Sequence, residues 1–441
     1  MSEVQLNKAL TPLMLWGLGV GYVISGMYFG WNLGLEKGGT YGLAIATFFI
    51  IIMYCTFTFS YTEMACAIPK AGGAFEYANR GLGRHLGFVA GIAQNIEFVF
   101  APPAIAAAIG AYLNLLYPSV DLLVFAIGAY IIFTGINILG VKFAASFELV
   151  ITVLAIIELL IFAGVALPEF DITHLQINPM PNGFAGIFAA IPFAIWFFLA
   201  IEGVANVAEE TINPQRNVLL GFGSAIVTLV LLCVLTFVSA VGVAGWEAIV
   251  YPQGSNIASD SPLPLALSRI IAEGHVLYKL LIGIGLLGLV ASFHGIILAG
   301  GRATFEFGRV GYAPQLLGKV NTKFRTPANA LIANMLVGIV ALITGKTGDI
   351  ITIACFGALG LYIVSMISFF ALRKKEPEME RPFRVPLYPL FPLTALVIAV
   401  IALIAMSYNY PVLALIFFGI VGLSYVYFLV FLNKKMSYSA L

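Results

Sequence analysis

Four ionisable side chains stand in stretches that are otherwise almost wholly apolar: Glu97 in FVAGIAQNIEFVFAPPA, Glu158 in LVITVLAIIELLIFAGV, Glu202 in AAIPFAIWFFLAIEGVA and His294 in GLVASFHGIILAGG. A charge near the centre of a bilayer costs about 2.5–3.5 kcal/mol on insertion scales, so each of them needs a compensating partner. The carboxyls can accept hydrogen bonds from an ammonium group or carry a proton, and an imidazole can relay protons near neutral pH. Glu158 can equally serve as a hydrogen bond between helices, and a lone His294 as a satisfied packing residue. Gln94, three residues before Glu97, shares its helix face, and Pro102-Pro103 are expected to bend the helix just beyond.

Rings gather beside two of these positions. Trp196, Phe197 and Phe198 precede Glu202, and Trp31 lies in the glycine-rich stretch LWGLGVGYVISGMYFGWNLG at 15–34. An organic cation over an aromatic face gains about 0.5–2 kcal/mol. Both ring clusters belong to segments that are hard to keep helical. Residues 15–34 carry Gly17, Gly19, Gly21, Gly26, Gly30 and Gly34, and each Gly in place of Ala costs a helix about 1 kcal/mol. Residues 184–210 hold Pro192 and then Glu202-Gly203 in an apolar run, so span six is expected to unwind around Glu202. Unwound backbone at membrane depth persists where it lines a cavity and meets a ligand or an ion. The expected binding residues are therefore Ser25, Gly26, Met27, Gly30, Trp31 and Asn32 at the first break, Trp196, Phe197, Phe198 and Glu202 at the second, and Gln94 and Glu97. Glu158, Glu202 and His294 are the expected proton carriers.

The elements that must position these residues are membrane helices. Of 441 residues 61% are hydrophobic and 10% charged, with mean hydropathy +1.01, which excludes a soluble fold of this size and predicts an all-α integral membrane protein. Twelve spans are expected at about 11–34, 41–67, 86–116, 121–140, 144–167, 184–205, 217–245, 277–305, 327–344, 349–372, 389–407 and 411–432. Interrupted spans at the first and sixth places are the trace of a five-plus-five inverted repeat, 11–167 and 184–372, with two further helices at 389–432 in one transmembrane domain over 1–441. Of the 22 Lys and Arg, 18 fall on the side of the N-terminus, Lys8, Lys142, Lys434 and Lys435 among them, and only Lys37, Arg269, Lys279 and Lys346 on the other. Both termini are therefore expected in the cytoplasm, with the chain in the cell membrane. The N-terminus shows no cleavage site of a signal peptide.

Other functional classes find little support in the composition. A net charge of +1 without a basic, aromatic-laced face argues against nucleic acid, and Cys55, Cys66, Cys233 and Cys355 lack the spacing of a metal site or a disulfide framework. A membrane enzyme would carry a His/Asp cluster or a Ser/His pair, and a channel a repeated filter motif. The segment after Ser261-Pro262 is expected to form a short helix over the outer mouth. Glu63, Glu209 and Glu210 at span ends, beside Lys70, Arg80 and Arg216, are expected to form ion pairs there.

Three motifs extend this reading. Tyr61-Thr62-Glu63-Met64-Ala65 with Ile68-Pro69-Lys70-Ala71-Gly72-Gly73-Ala74-Phe75-Glu76-Tyr77 follows the second span, Ala208-Glu209-Glu210-Thr211-Ile212-Asn213-Pro214-Gln215-Arg216 the sixth, and Gly311-Tyr312-Ala313-Pro314 the eighth. Together they resemble signatures of the amino acid, polyamine and organocation (APC) transporter superfamily across nearly the whole chain. Ile24–Asn32 and Asn95-Ile96-Glu97-Phe98 with Ala101-Pro102 look like its ethanolamine permease branch. The resemblance implies a LeuT-like fold with discontinuous helices 1 and 6, and a secondary carrier importing a small amine, ethanolamine first, by alternating access with proton coupling or exchange. A proton-coupled amino acid permease is the alternative. Amino acid carriers of the superfamily usually hold a small triplet such as Gly-Ser-Gly in span one, where this chain reads Gly30-Trp31-Asn32. The lysine that many proton-coupled relatives hold in span five would fall near Ala155, counted from Gly140-Val141-Lys142, so that account of coupling does not carry over. Sodium coupling would need a hydroxyl such as Ser292 in span eight. No cofactor is implied, and the only partners expected are the small amine, the coupling ion and the bilayer.

Overall fold

The computed structural model describes residues 10–70, 72–139 and 144–432. Lys8, Lys142, Lys434, Lys435, Ala71 and the reference stretch Gly140-Val141-Lys142 lie outside the described residues. Twelve helices organise the rest: α1 Pro12–Val23, α2 Asn32–Ala67, α3 Arg84–Leu116, α4 Leu122–Leu139, α5 Ala144–Ala166, α6 Ile191–Trp196, α7 Pro214–Ala244, α8 Val276–Arg309, α9 Ala328–Ile343, α10 Thr347–Lys375, α11 Leu390–Asn409 and α12 Pro411–Tyr427. Shorter helices fill the links, among them Gly183–Ala189 before α6 and a 3-10 helix, Ile201–Glu210, after it. Among the described residues nine helices are long and apolar enough to cross a membrane, while α1 and α9 are apolar but shorter.

Helix length explains two features of this order. At 1.5 Å per residue the 12 residues of α1 reach only about 18 Å, short of a hydrocarbon core of about 30 Å. The 36 residues of α2 would reach about 54 Å, nearly twice that thickness. The excess is relieved at Gly39, whose φ of +65° is open to glycine and kinks the helix between 32–38 and 40–67. The link expected between the first two spans is thus reduced to a kink.

Burial divides the helices by position. In the apolar stretch of α10 78% of residues are buried and in α8 67%, against 11% for the final helix. Helices α8 and α10 flank α3 at the centre, and α1 packs between α5 and α7. The outer sides of α4, α11 and α12 carry exposed Ile, Leu, Val and Phe, as a lipid-facing surface requires. Helix α3 keeps helical residues through Pro102-Pro103.

The expected ion pairs form with other partners. Glu63 is held by Arg373 (2.6 Å) and Arg381 (3.2 Å) and accepts the Val385 amide, Glu210 pairs with Arg302 (2.9 Å), Lys70 with Glu76 and Arg80 with Glu376. The counter-charges of Glu210, Glu63 and Arg80 come from α8, the end of α10 and the residues just after it, while Lys70 pairs within six residues of itself. The short helix Pro262–Ser268 is present, but Ser261 does not cap it: its hydroxyl lies 2.9 Å from that of Ser259.

Candidate functional site

The chain that follows α1 leaves the helix in two steps. Ile24 and one turn, Ser25–Tyr28, continue it, then Phe29 is fully extended and Gly30 takes φ +88°. Gly30 is needed there, since a side chain would also collide with the Trp196 indole. The freed groups find local partners. The Gly30 amide donates to Asn32 Oδ1 (3.0 Å), Asn32 Nδ2 donates to the Ser259 carbonyl (2.8 Å), and Trp31 Nε1 donates to the Met27 carbonyl (3.1 Å). Ser292 of α8 clamps the other side of the break, donating to the Gly21 carbonyl (2.6 Å) and accepting the Ser25 amide (2.9 Å).

The second break lies two to five residues ahead of Glu202. The chain unwinds over 197–200, where Ala200 adopts the left-handed conformation (φ +75°), and Glu202 stands in the first turn of the 3-10 helix Ile201–Glu210. The expectation that unwinding centres on Glu202 is thus corrected: Gly203 remains helical, and the left-handed step falls on an alanine. The breaks touch where Gly26 meets Trp196, close enough that a Cβ on Gly26 would stand 2.5 Å from the Trp196 carbonyl oxygen.

Three clusters collect the expected site residues. In the first, the carboxyls of Glu97 and Glu202 face each other within hydrogen-bonding reach, 0% and 1% exposed. Tyr362 of α10 donates to Glu202 Oε2 (2.9 Å) and its hydroxyl lies 3.1 Å from that of Tyr54. Neither Glu97 oxygen nor Glu202 Oε1 has a donor in ordinary hydrogen-bond geometry. Two bare carboxylates repel, so such a pair is held by a proton on one of them or by a cation between them. Gln94, with Oε1 buried and without a donor, lines a cavity of ≈ 10 Å³ one turn along the helix.

Rings form the second cluster. Trp31 stacks on Phe197 (centroids 5.6 Å), Phe29 meets the edge of Trp196 (5.4 Å), and Phe198 lies 5.3 Å from Tyr54, which joins the rings to the acid pair. The Trp196 Nε1 proton is buried without an acceptor. The third cluster is split from the others. Glu158 interacts with the Tyr28 hydroxyl, which itself donates to the Ala155 carbonyl (2.9 Å). His294 Nδ1 lies 3.5 Å from Glu148 Oε2, so His294 and Glu158 serve different neighbours.

Glu148, Tyr54 and Tyr362 did not stand out in the sequence. Glu148 is only a few residues inside its span, where a carboxyl usually reaches water, and it is 1% exposed. The signal for it was the Gly17-x-x-x-Gly21 stripe, a close-packing pattern that seats α1 on Leu149, Glu148 and Thr152 of α5.

A multi-pass helical membrane protein whose two interrupted helices cross beside buried acids and rings has the build of a carrier for small organic substrates. The chain belongs to the amino acid permease family, whose model matches residues 10–437. It is similar to an uncharacterized transporter of Rhizobium meliloti (26% identical, covering 85% of this chain and 81% of the relative) and to the methylthioribose transporter of Bacillus subtilis (28%, covering 86% and 84%). The branched-chain amino acid permease BcaP of Bacillus subtilis is 25% identical, with 87% of this chain and 85% of the relative covered. These are names of transporters and permeases rather than of enzymes.

Proposed function

We propose that the chain is a secondary carrier that imports a small primary amine, ethanolamine in the first place, with a proton moving alongside it or in exchange. The observation that carries this reading is the Glu97–Glu202 pair, buried beside the left-handed step at Ala200 and joined to a row of rings. An ammonium entering between the two carboxyls replaces their mutual repulsion with two charge-assisted hydrogen bonds. Trp31, Trp196, Phe197 and Phe198 enclose its short carbon chain, and Ser25, Gly26, Met27, Asn32 or Gln94 offer polar groups to the hydroxyl. Asn32 already occupies the Gly30 amide, which favours a substrate without a carboxylate at that place.

The reading includes twelve spans as five-plus-five inverted repeats of the LeuT kind with two further helices, both termini in the cytoplasm of a cell-membrane protein, and alternating access about the crossing of the two breaks. Glu158, Glu202 and His294 stand as the proton carriers. An amino acid substrate is the second reading, favoured by the printed name of the branched-chain relative. Uptake of labelled ethanolamine into proteoliposomes under an inward proton gradient separates the two. Unlabelled ethanolamine is expected to displace label far better than alanine, serine or leucine. Equal displacement by any of these amino acids would end the amino alcohol assignment, and flux linear in concentration would end the carrier.

A further inference from the structure

Glu148 and His294 form a second buried ionisable pair, of which the proposed function uses only the imidazole and leaves the carboxyl without a role. The carboxyl is 1% exposed and the imidazole 5%, both Glu148 oxygens lack a donor in ordinary hydrogen-bond geometry, and Nδ1 stands 3.5 Å from Oε2. The pair touches α1 just before its break. A Cβ on Gly21 would stand 2.5 Å from Glu148 Oε1, and one on Gly295 would stand 3.4 Å from the same atom and collide with the ring of Tyr22. The same stretch is fastened to α5 and α8 by Thr152 donating to the Gly17 carbonyl (3.2 Å) and Ser292 donating to the Gly21 carbonyl (2.6 Å).

We infer that Glu148 and His294 together are a proton-binding site, separate from the Glu97–Glu202 pair, whose occupancy decides whether α1 stays seated on α5 and α8. This rests on the proposed carrier function and names the place where its proton binds. With one proton between them the two side chains are an imidazolium and a carboxylate, net neutral. When that proton passes to water the imidazole is neutral and the carboxylate remains, a net charge of −1 in an apolar setting. A buried carboxylate without a counter-charge favours any movement that admits water, and Gly21 and Tyr22 are the residues covering it from α1. Proton loss therefore loosens the end of α1 that carries Gly21 and Tyr22, next to its break, and proton binding reseats it.

The neighbours leave this role to the pair. His294 is the charged group that acts on Glu148. From α1 the titratable neighbour is Tyr22, which also feels Arg302 of α8 and Glu210 of the 3-10 helix, themselves an ion pair at 2.9 Å. Helix α4 presents only Phe133, whose ring meets the imidazole edge-on, and Asn137, whose amide reaches the His294 carbonyl. Phe147 closes the remaining side.

The test uses the full chain in proteoliposomes with labelled ethanolamine, comparing accumulation driven by an inward proton gradient with counterflow against internal unlabelled ethanolamine at equal pH. Glu148→Gln and His294→Gln are expected to keep counterflow within about threefold of the parent chain, and to lose gradient-driven accumulation by about tenfold or more. Counterflow needs the substrate site alone. Accumulation at the parent level in either folded variant overturns the inference, and so does loss of counterflow together with accumulation, which would make the pair part of the substrate site. Should neither variant fold, proton influx during ethanolamine entry, read with an internal pH dye in the parent chain between pH 5 and 8, decides it. Proton influx that accompanies ethanolamine entry supports the site, and substrate entry without proton influx overturns it. Absence of ethanolamine counterflow in the parent chain would instead fault the substrate reading, and the pair is then judged by the same two arms with alanine or leucine as label.

Discussion

Two buried carboxyl sites adjoin Tyr22 of α1, next to Gly203 on one edge of its ring and to Gly295 on the other, and they differ in what faces the acid. Glu97 looks at another acid, Glu202, whose second oxygen is held by Tyr362 at 2.9 Å. Glu148 looks at a base, His294, across 3.5 Å. An acid facing an acid is incomplete until a cation or a proton joins it, whereas an acid facing an imidazole is completed by one proton and has no room for more charge. The first arrangement suits a ligand that comes and goes, the second an ion as small as a proton. Their surroundings agree: the acid pair is joined to rings through Tyr54 and Phe198, while the acid–imidazole pair is pressed against Gly21 and Gly295 with no space for an organic molecule.

Substitutions sharpen that contrast in order of expected effect. Glu202→Gln, and Glu97→Gln with it, should lower amine uptake by about 30- to 100-fold in both counterflow and gradient-driven assays, because a hydrogen bond to a charged group contributes about 1.5–3 kcal/mol. The double variant should be little worse than either single one, since both remove the same ion contact; strict additivity would mean the two acids act apart. Tyr362→Phe keeps the ring and removes one donor, so an apparent KM about three- to tenfold higher is expected from uptake kinetics at unchanged protein level. Gly21→Ala forces a methyl against Glu148 and should destabilise the protein by about 1–3 kcal/mol, read as a lower Tm in detergent. Adding Glu148→Ala to that variant should restore part of the loss, and no restoration would mean the clash lies elsewhere.

The smallest effect belongs to an acid outside the spans. Asp260, in the loop ahead of the short helix Pro262–Ser268, accepts a hydrogen bond from Thr347 (2.8 Å), and burial pushes its carboxyl up to about 6. A carboxyl raised on docking supports the docked loop fully below its ordinary value of 3.8 and loses that support as pH rises through about 6. Proteolysis of the loop at 246–274 should therefore quicken modestly between pH 5 and 7, and Asp260→Asn should flatten the dependence. Because Asn32 donates to the carbonyl of the adjacent Ser259, a flat profile in the parent chain would show the loop to be held by that contact rather than by Asp260.

How much of this was legible depended on whether a residue's role was local. The loss of helix after α1 could be read from the glycines at 26 and 30, and the second interruption from the run that ends at Glu202-Gly203. Its position could not, because the left-handed step fell on Ala200, a residue with no intrinsic preference for it, which is fully buried, so that its surroundings must hold the turn. Glu97 and Glu202 drew notice by polarity alone, yet nothing in the 104 intervening positions says that they meet. The ion pairs of Glu63 and Glu210 had the right residues and the wrong partners for the same reason: the counter-charges come from other helices, Arg302 lying 92 residues from Glu210 and Arg373 310 residues from Glu63.

Composition and periodicity by themselves determined that this chain is a bundle of membrane helices, because a backbone in hydrocarbon must satisfy its own hydrogen bonds and only long apolar helices do so along the chain. They also marked the weak segments, since glycine and proline act on the backbone where they stand. Only the tertiary structure decided which acid faces an acid and which a base. That choice is made by helix packing across the bundle, where Gly21, Gly26 and Gly295 let neighbouring helices and side chains approach closely enough to bring Glu148 to His294 and the two breaks together.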